Sequence, residues 1–206
     1  PASARYTRLA GEGVSNSIAV DETGGVYVVT DRAMHRVQWT GERLSRDASD
    51  GAWTARYDTG GAQGDIRLGG GSGSTPTLMG GANDPDKLVV ITDGAQRMNL
   101  VDRRVAGVFP VTFGDPDRPE IQSEQSVLVS GYGAFVVNNT LESTPAPTPT
   151  ANVFLSGLPG VAPRGAERFA WDPDANEWRS VWARADVSFP NTIPFMSAPS
   201  QMIYGV

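Results

Sequence analysis

The sequence Ile18-Ala-Val-Asp21, Thr23-Gly-Gly25, Val26-Tyr-Val-Val-Thr-Asp31 contains the pattern that decides the fold. A short apolar run, a glycine-containing turn and a second, more apolar run predict an antiparallel β-hairpin. The pattern returns at 76–79 with 88–93, at 126–129 with 134–139, and at 193–196 with 202–206. The chain is therefore predicted to be an array of repeated β units.

Turn residues recur along the whole chain, which has 24 Gly and 15 Pro among its 206 residues. Helical periodicity is scarce, and an all-β protein is predicted. Strands are predicted at 18–20, 26–30, 35–39, 88–92, 98–101, 127–129, 135–137, 169–171, 178–182 and 202–206. The insertions 60–73 and 142–151 are predicted to be loops, and the second contains Thr144-Pro-Ala-Pro-Thr-Pro-Thr150, which is typical of an exposed polyproline segment.

Repeats of about 45–50 residues with four strands each are typical of β-propeller blades, which must stack because one blade cannot cover both of its faces. Four-stranded antiparallel blades are predicted at 15–59, 73–114 and 123–183, followed by part of a fourth at 191–206. This single domain or domain portion would hold about three and a half blades. Either residues 4–9 (Arg5–Leu9 as a strand) complete a small four-bladed ring, or the chain is half of a larger propeller.

The unfinished fourth blade predicts a partner, because open sheet edges and apolar faces need cover. We expect the remainder of a propeller, or a second chain, to contact residues 1–9 and 193–206.

Composition excludes several classes of protein. The absence of Cys excludes disulfide scaffolds, thiolate metal sites and thiol catalysis. A net charge of −6 disfavours nucleic-acid binding, and no apolar run reaches the roughly 18 residues of a membrane span. The start, Pro1-Ala-Ser-Ala-Arg5, carries no apolar signal region, so an export signal would have to have been removed. We expect an exported bacterial protein, periplasmic or extracellular.

Two families of propellers share features with the first blade. Residues 25–31 with Trp53-Thr-Ala-Arg-Tyr-Asp-Thr-Gly-Gly61 resemble a repeat of the quinoprotein (PQQ-like) propellers. That resemblance implies the scaffold and not the cofactor, because the family's cofactor-stacking residues, calcium site and adjacent-cysteine disulfide have no counterpart here. Ser15-Asn16-Ser-Ile-Ala-Val-Asp21 is similar to a blade of the gluconolactonase and strictosidine-synthase-like propellers. In the lactonases an Asn at the channel mouth helps to bind a divalent cation, which implies that role for Asn16, although Ser17 stands where that family has Gly.

Superposition of the repeats predicts that four polar residues share one position just before the first strand of each blade: Asn16, Ser74, Glu124 and Asn191. In a propeller these positions converge at one mouth of the central channel. Their oxygen atoms suit Ca²⁺, with Asn16, Glu124 and Asn191 as candidate ligands. They equally suit ordered water or a small polar ligand, or they simply cap strands by bonding local backbone, which is the reading that the sequence favours.

Secondary candidates follow the second strand of each repeat: Asp31, Asp93 and Asn139. Paired carboxylates suit acid–base catalysis, but an Asp after a strand more commonly makes an Asx turn. His35 is the only histidine and lies on a predicted third strand, where a structural role is favoured.

The function predicted from the sequence is a ligand-binding or interaction scaffold with a polar channel mouth. The alternative is a divalent-cation-dependent, lactonase-type hydrolase. A quinone-dependent dehydrogenase is the weakest reading, because no cofactor residues were found.

Overall fold

Antiparallel β-sheets dominate the protein. The computed structural model describes residues 5–60, 70–81, 83–102, 107–190 and 193–205. Sheet 1 contains β1 (Ala19–Val20), β2 (Gly25–Val29), β3 (Ala33–Trp39), β4 (Leu44–Ser45) and β5 (Trp53–Arg56). Its order is β1-β2-β3-β4, and β5 pairs with β3 as well. A short 3₁₀ turn at Ala48–Asp50 connects the last two strands.

Two further sheets repeat this order along the chain. Sheet 2 contains β6 (Thr77–Met79), β7 (Leu88–Thr92), β8 (Asn99–Asp102) and β9 (Val108–Pro110). Sheet 3 contains β10 (Leu128–Ser130), β11 (Gly133–Val137), β12 (Ala166–Asp172) and β13 (Glu177–Arg184). In both sheets each strand pairs with the next one in the chain. The C-terminal hairpin contains β14 (Phe195–Ser197) and β15 (Met202–Tyr204).

The middle strands explain how consecutive sheets pack. All five residues of β7 are buried, and their side chains alternate between two sides, as a strand requires. Val89 and Ile91 join Tyr27 and Val29 of sheet 1 in one apolar cluster. On the other side, the chain's largest apolar cluster joins sheet 2 to sheet 3 through Met79, Leu88, Val90, Leu100, Ala134, Val136, Phe169, Trp171 and Trp178.

Strand β11 repeats the same division. Ala134 and Val136 face sheet 2, whereas Phe135 and Val137 belong to a third cluster, packed against Phe189 and other residues that include Ile203 of the hairpin. The first strands also neighbour one another, because β6 lies beside β10 and β10 beside β14. The all-β prediction is confirmed, and sheets 2 and 3 are the predicted four-stranded antiparallel sheets, whereas sheet 1 has a fifth strand.

Two local predictions differ from the structure. Part of the predicted polyproline loop is helical: α1 runs from Pro149 to Leu155, with the Thr148 side chain accepting a hydrogen bond from the Ala151 amide at 3.3 Å. Pro at the first helical position starts a helix without losing a hydrogen bond, which explains the error. Residues 5–9 form no strand, and the Arg8 carbonyl accepts from Arg46 Nη1 of sheet 1 at 3.2 Å.

No sheet closes onto another within the described residues. Over the same part of the chain, no helix has the length and apolar character that a membrane-spanning helix needs.

Candidate functional site

The polar candidates lie on three leading segments, which we define as residues 12–17, 71–76 and 121–126, each preceding the first strand of its sheet. The first two segments touch, because the Ser17 amide donates to Thr75 Oγ1 at 3.2 Å. The second and third also touch, since a Cβ placed on Gly73 would lie 3.0 Å from Glu124 Oε1. Asn16, Ser74 and Glu124 therefore come from adjacent segments, while Asn191 lies outside the described residues. Their convergence at a channel mouth stays a prediction.

Strand register corrects the predicted equivalence of these residues. The first strands pair with the second through Ala19–Tyr27, Leu78–Val89 and Leu128–Phe135. In each case the second-strand partner lies three residues before the strand-end position Thr30, Thr92 or Asn138. Counting back along each first strand places Asn16 level with Thr75 and Gln125, one residue beyond Ser74 and Glu124.

The one-residue shift arises from the turns. Residues 21–25, 80–87 and 131–132 separate the paired strands in the three sheets, so alignment on the second strand alone cannot place the first. A shift of one residue exchanges the two faces of a strand. Gln125, and not Glu124, is therefore the counterpart of Asn16.

Asn16 and Gln125 share an unusual arrangement. Asn16 Nδ2 donates to the Val29 carbonyl and Gln125 Nε2 to the Phe189 carbonyl, each at 3.2 Å. In both side chains the amide oxygen is buried and accepts no hydrogen bond from the part of the chain that the structure describes. Two level positions thus hold anchored amides whose oxygens lack a partner.

The side chain of Gln122 lacks hydrogen-bond partners at both of its polar atoms within the described residues. Gln122 is 4% exposed, and the two atoms are its amide oxygen and its amide nitrogen. Its backbone amide donates to Thr140 Oγ1 at 3.1 Å, so the segment itself is held in place. A buried polar group without a partner costs about 1–3 kcal/mol, which a folded protein rarely tolerates without a reason.

Ser74 and Glu124 make mainly local contacts in the structure. Ser74 is fully buried, its amide donates to Ser72 Oγ at 3.1 Å, and its hydroxyl lies 3.4 Å from the Thr75 carbonyl. The Glu124 amide donates to Asn139 Oδ1 at 3.2 Å, and its side chain lies against Gly73, which has a φ of 70°. The Ser74 contacts are those of a residue that caps a strand.

Asp31 and Asn139 attach the first and the third leading segment to their own sheets. Asp31 Oδ1 accepts from the Gly13 amide at 2.9 Å, and Asn139 Oδ1 accepts from Ser123 Oγ at 3.0 Å. The backbone amides of Asp31 and Asn139 donate in return to the carbonyls of Gly13 and Gln122. The same clamp therefore holds the first and third leading segments.

Asp93 instead organises its own loop. Its carboxylate accepts from the amides of Ala95 and Asn99, at 3.3 and 2.7 Å, and from Asn99 Nδ2 at 2.7 Å. Burial raises the pKa of the Asp93 carboxyl despite these hydrogen bonds. Its contacts are those of an Asx-type turn.

His35 is buried in a polar network. It is 2% exposed; Nε2 lies 2.7 Å from Glu12 Oε2, and Nδ1 lies 3.0 Å from Thr54 Oγ1. Burial alone would raise the pKa of Glu12, but hydrogen bonds from Thr30 and His35 outweigh it and lower that pKa. His35 thus joins the first leading segment to β3 and β5, which is a structural role.

The metal prediction gains no support from acidic or histidine side chains. Nowhere in the described ranges do three such side chains lie together in a way that could hold a metal ion. The amide oxygens of Asn16 and Gln125 are hard ligands of the kind that Ca²⁺ accepts, with Glu124 on the same segment as Gln125. Calcium binding therefore stays a prediction.

The sequence analysis missed Thr75, Gln122 and Gln125. The available signal was the pair of Gln residues that flank Glu124 in Gln122-Ser-Glu-Gln125.

Comparison with known proteins provides one relative. An uncharacterized protein of Archaeoglobus fulgidus is 43% identical over 217 residues, a match that includes 95% of this chain and 41% of the relative. The chain therefore spans about two fifths of that relative's length. No family model matches. The resemblances to quinoprotein and gluconolactonase propellers stay predictions, and this relative comes from an archaeon rather than a bacterium.

Proposed function

We propose that the chain is part of a β-propeller that binds a small polar ligand where its leading segments meet. The observation that carries this proposal is the buried amide of Gln122, which has no partner in the part of the chain that the structure describes, together with the amide oxygens of Asn16 and Gln125, which also lack one there. A bound ligand with hydroxyl or amide groups would supply the missing hydrogen bonds.

The arrangement of the sheets supports the propeller scaffold. Three antiparallel meanders follow one another along the chain, with an apolar layer between sheets 1 and 2 and another between sheets 2 and 3. The first strands also lie side by side, with β6 next to β10 and β10 next to β14. Stacked sheets with converging first strands are typical of propeller blades.

The chemistry of the unpaired atoms limits the ligand. Asn16 and Gln125 offer oxygens that accept hydrogen bonds, whereas Gln122 offers both an acceptor and a donor. An uncharged polyol or sugar presents both kinds of group, and we propose this class. A calcium ion would use the oxygens alone and leave the Gln122 nitrogen unpaired.

The test uses the Gln122→Leu variant, which replaces the unpaired amide with an apolar side chain of similar size. The melting temperature of the unliganded protein should rise, because a cost of about 1–3 kcal/mol is removed. Glucose, myo-inositol and calcium chloride serve as probes in thermal-shift titrations. We expect a polyol to stabilise the natural protein, by about 2.7 kcal/mol at one hundred times its dissociation constant, and not the variant.

Gln38→Leu is the matched control, because Gln38 Nε2 donates to the carbonyls of Thr23 and Trp39 in sheet 1. This variant should lose stability and keep the response to polyols. Stabilisation by calcium alone, abolished in Asn16→Ala, would favour the divalent-cation-dependent alternative. If Gln122→Leu is less stable than the natural protein and no probe shifts the melting temperature, the ligand site is wrong.

A further inference from the structure

Within the described residues, the second strand of the C-terminal hairpin has an open edge, whereas the second strands of the other three sheets are paired on both sides. In sheets 1, 2 and 3 the second strand pairs with a third antiparallel strand: β2 with β3, β7 with β8 and β11 with β12. The corresponding strand of the hairpin, β15, pairs only with β14 among the described residues. An unpaired strand edge presents a row of backbone donors and acceptors that can bind another strand.

The hairpin is also unusually apolar for an exposed structure. Phe195 is 62% exposed and Met202 is 54% exposed, and Ile193 just before the hairpin is exposed too. The Phe195 and Tyr204 rings stack with their centroids 5.2 Å apart, which leaves their outer faces uncovered. Exposed apolar residues that cluster in this way indicate a surface that another protein segment covers.

A groove lies on the opposite face of the hairpin, where Met196 and Ile203 face sheet 3. It has a volume of about 680 Å³, and its apolar wall includes Phe135, Trp182 and Phe189 of the sheet 3 side and Ile203 of β15. Its polar part includes Arg168, Arg184 and Gln201, and Arg184 pairs with Asp186 at 2.6 Å. The groove lies where a third strand of a fourth sheet would face sheet 3.

We propose that the edge of β15 and this groove bind an antiparallel β-strand from the rest of the same, longer polypeptide. The third strands of sheets 1, 2 and 3 bury Val37, Leu100 and Phe169 respectively. The incoming strand should therefore be short and should alternate apolar and polar residues, with the apolar side chains directed into the groove. This proposal rests on the hairpin and not on the ligand site.

The relative supports this occupant over a second copy of the chain. The match includes nearly all of this chain but only 41% of the relative, whose remaining length is ample for further strands. A second copy would carry the same overall net charge of −6, and like net charges oppose self-association.

The test compares the 206-residue chain with the natural polypeptide, whose intact mass and oligomeric state are measured first. Backbone amide hydrogen exchange is then followed at residues 202–204. The outward-facing amides of β15 should exchange rapidly in the 206-residue chain and at least about tenfold more slowly in a longer natural polypeptide. The amides of Val108 and Phe109 in β9 are the control, because their exchange should be equal in both forms.

Each other outcome overturns the proposal. Equal exchange at 202–204 in the two forms would show that no strand binds this edge. A natural polypeptide of 206 residues that is monomeric would have no strand to supply. A dimer of 206-residue chains with protected β15 amides would make a second copy the occupant.

Discussion

The two faces of sheet 3 differ in how completely they are covered. One face packs against sheet 2 in the largest apolar cluster, where Phe169 and Trp171 are buried. The other face packs against Val187 and Phe189, which follow β13, and against Ile203 of the hairpin, and a groove of about 680 Å³ remains beside Phe135. A four-stranded sheet therefore covers its neighbour, whereas a two-stranded hairpin covers part of it.

Buried carboxylates connect sheets 2 and 3 across the fully covered face of sheet 3. Glu167 of sheet 3 is 2% exposed, and its carboxylate accepts from the amides of Thr112 and Phe113 beyond β9, at 2.9 and 2.7 Å. Asp86, in the loop before β7, accepts from Trp171 Nε1 at 2.7 Å. Complete coverage lets these carboxylates join two sheets in a buried environment, because amide and indole groups across the interface donate hydrogen bonds to them.

A matched pair of truncations should measure the difference directly. Phe169→Ala should lower the free energy of unfolding by about 3–5 kcal/mol, because its cavity is enclosed on all sides. Phe135→Ala should cost less, because the open groove lets water and the hairpin adjust. Urea denaturation of both variants checks the order. If Phe135→Ala costs as much as Phe169→Ala, the two faces are equally tight.

Removal of the buried carboxylate should have the next largest effect. Glu167→Ala leaves the amides of Thr112 and Phe113 and the Ser180 hydroxyl, now 2.6 Å from Glu167 Oε1, without an acceptor. We expect a loss of about 2–4 kcal/mol by urea denaturation. Glu167→Gln retains one acceptor and should lose less. Equal losses in the two variants would mean that packing, and not hydrogen bonding, explains the role of this residue.

A pH titration extends the comparison to sheet 1. Burial alone would raise the pKa of the Asp21 carboxyl, but hydrogen bonds from Tyr27, Thr23 and the Gly25 amide outweigh it and hold that pKa well below its ordinary value of 3.8. Asp21 therefore stabilises the fold above pH 3.8, and this contribution disappears as the pH falls through the lower, folded-state pKa.

Solvent partly screens the hydrogen-bonded Asp21 carboxylate. Asp21→Asn should therefore lower the free energy of unfolding by about 1 kcal/mol at neutral pH. The difference between the variant and the natural protein should shrink as the solution is acidified below pH 4. Thermal unfolding at several pH values measures it. A difference that does not change with pH would show that ionisation of the Asp21 carboxyl does not contribute to the stability of sheet 1.

The smallest effect is expected at the hairpin. Phe195→Ser should change the stability of the 206-residue chain by at most about 0.5 kcal/mol, because the ring is mostly exposed. Urea denaturation of the variant and of the natural sequence measures the change. A loss of more than 1 kcal/mol, about the scale of a typical destabilising substitution, would indicate that the ring is packed in this form.

Local sequence predicted the middle strands closely. The prediction at 88–92 coincides with β7, and Trp178–Trp182 lies within β13. These runs are apolar, β-branched or aromatic and end at turn residues. Residues that are close in sequence therefore suffice to predict these strands. Residues 5–9 lacked such support, because their strand was inferred from ring closure rather than from their own pattern.

The sequence by itself determined the all-β class, the repeated strand–turn–strand unit and the polar character of the leading segments, since these depend on side-chain alternation and turn chemistry within a few residues. Only the tertiary structure decided which polar atoms are left unpaired. Gln125 replaced Glu124 as the counterpart of Asn16 because turns of different length shift the register, and the buried Gln122 side chain has no hydrogen-bond partner among the described residues. Register and burial arise from contacts between distant segments, which a local pattern does not record.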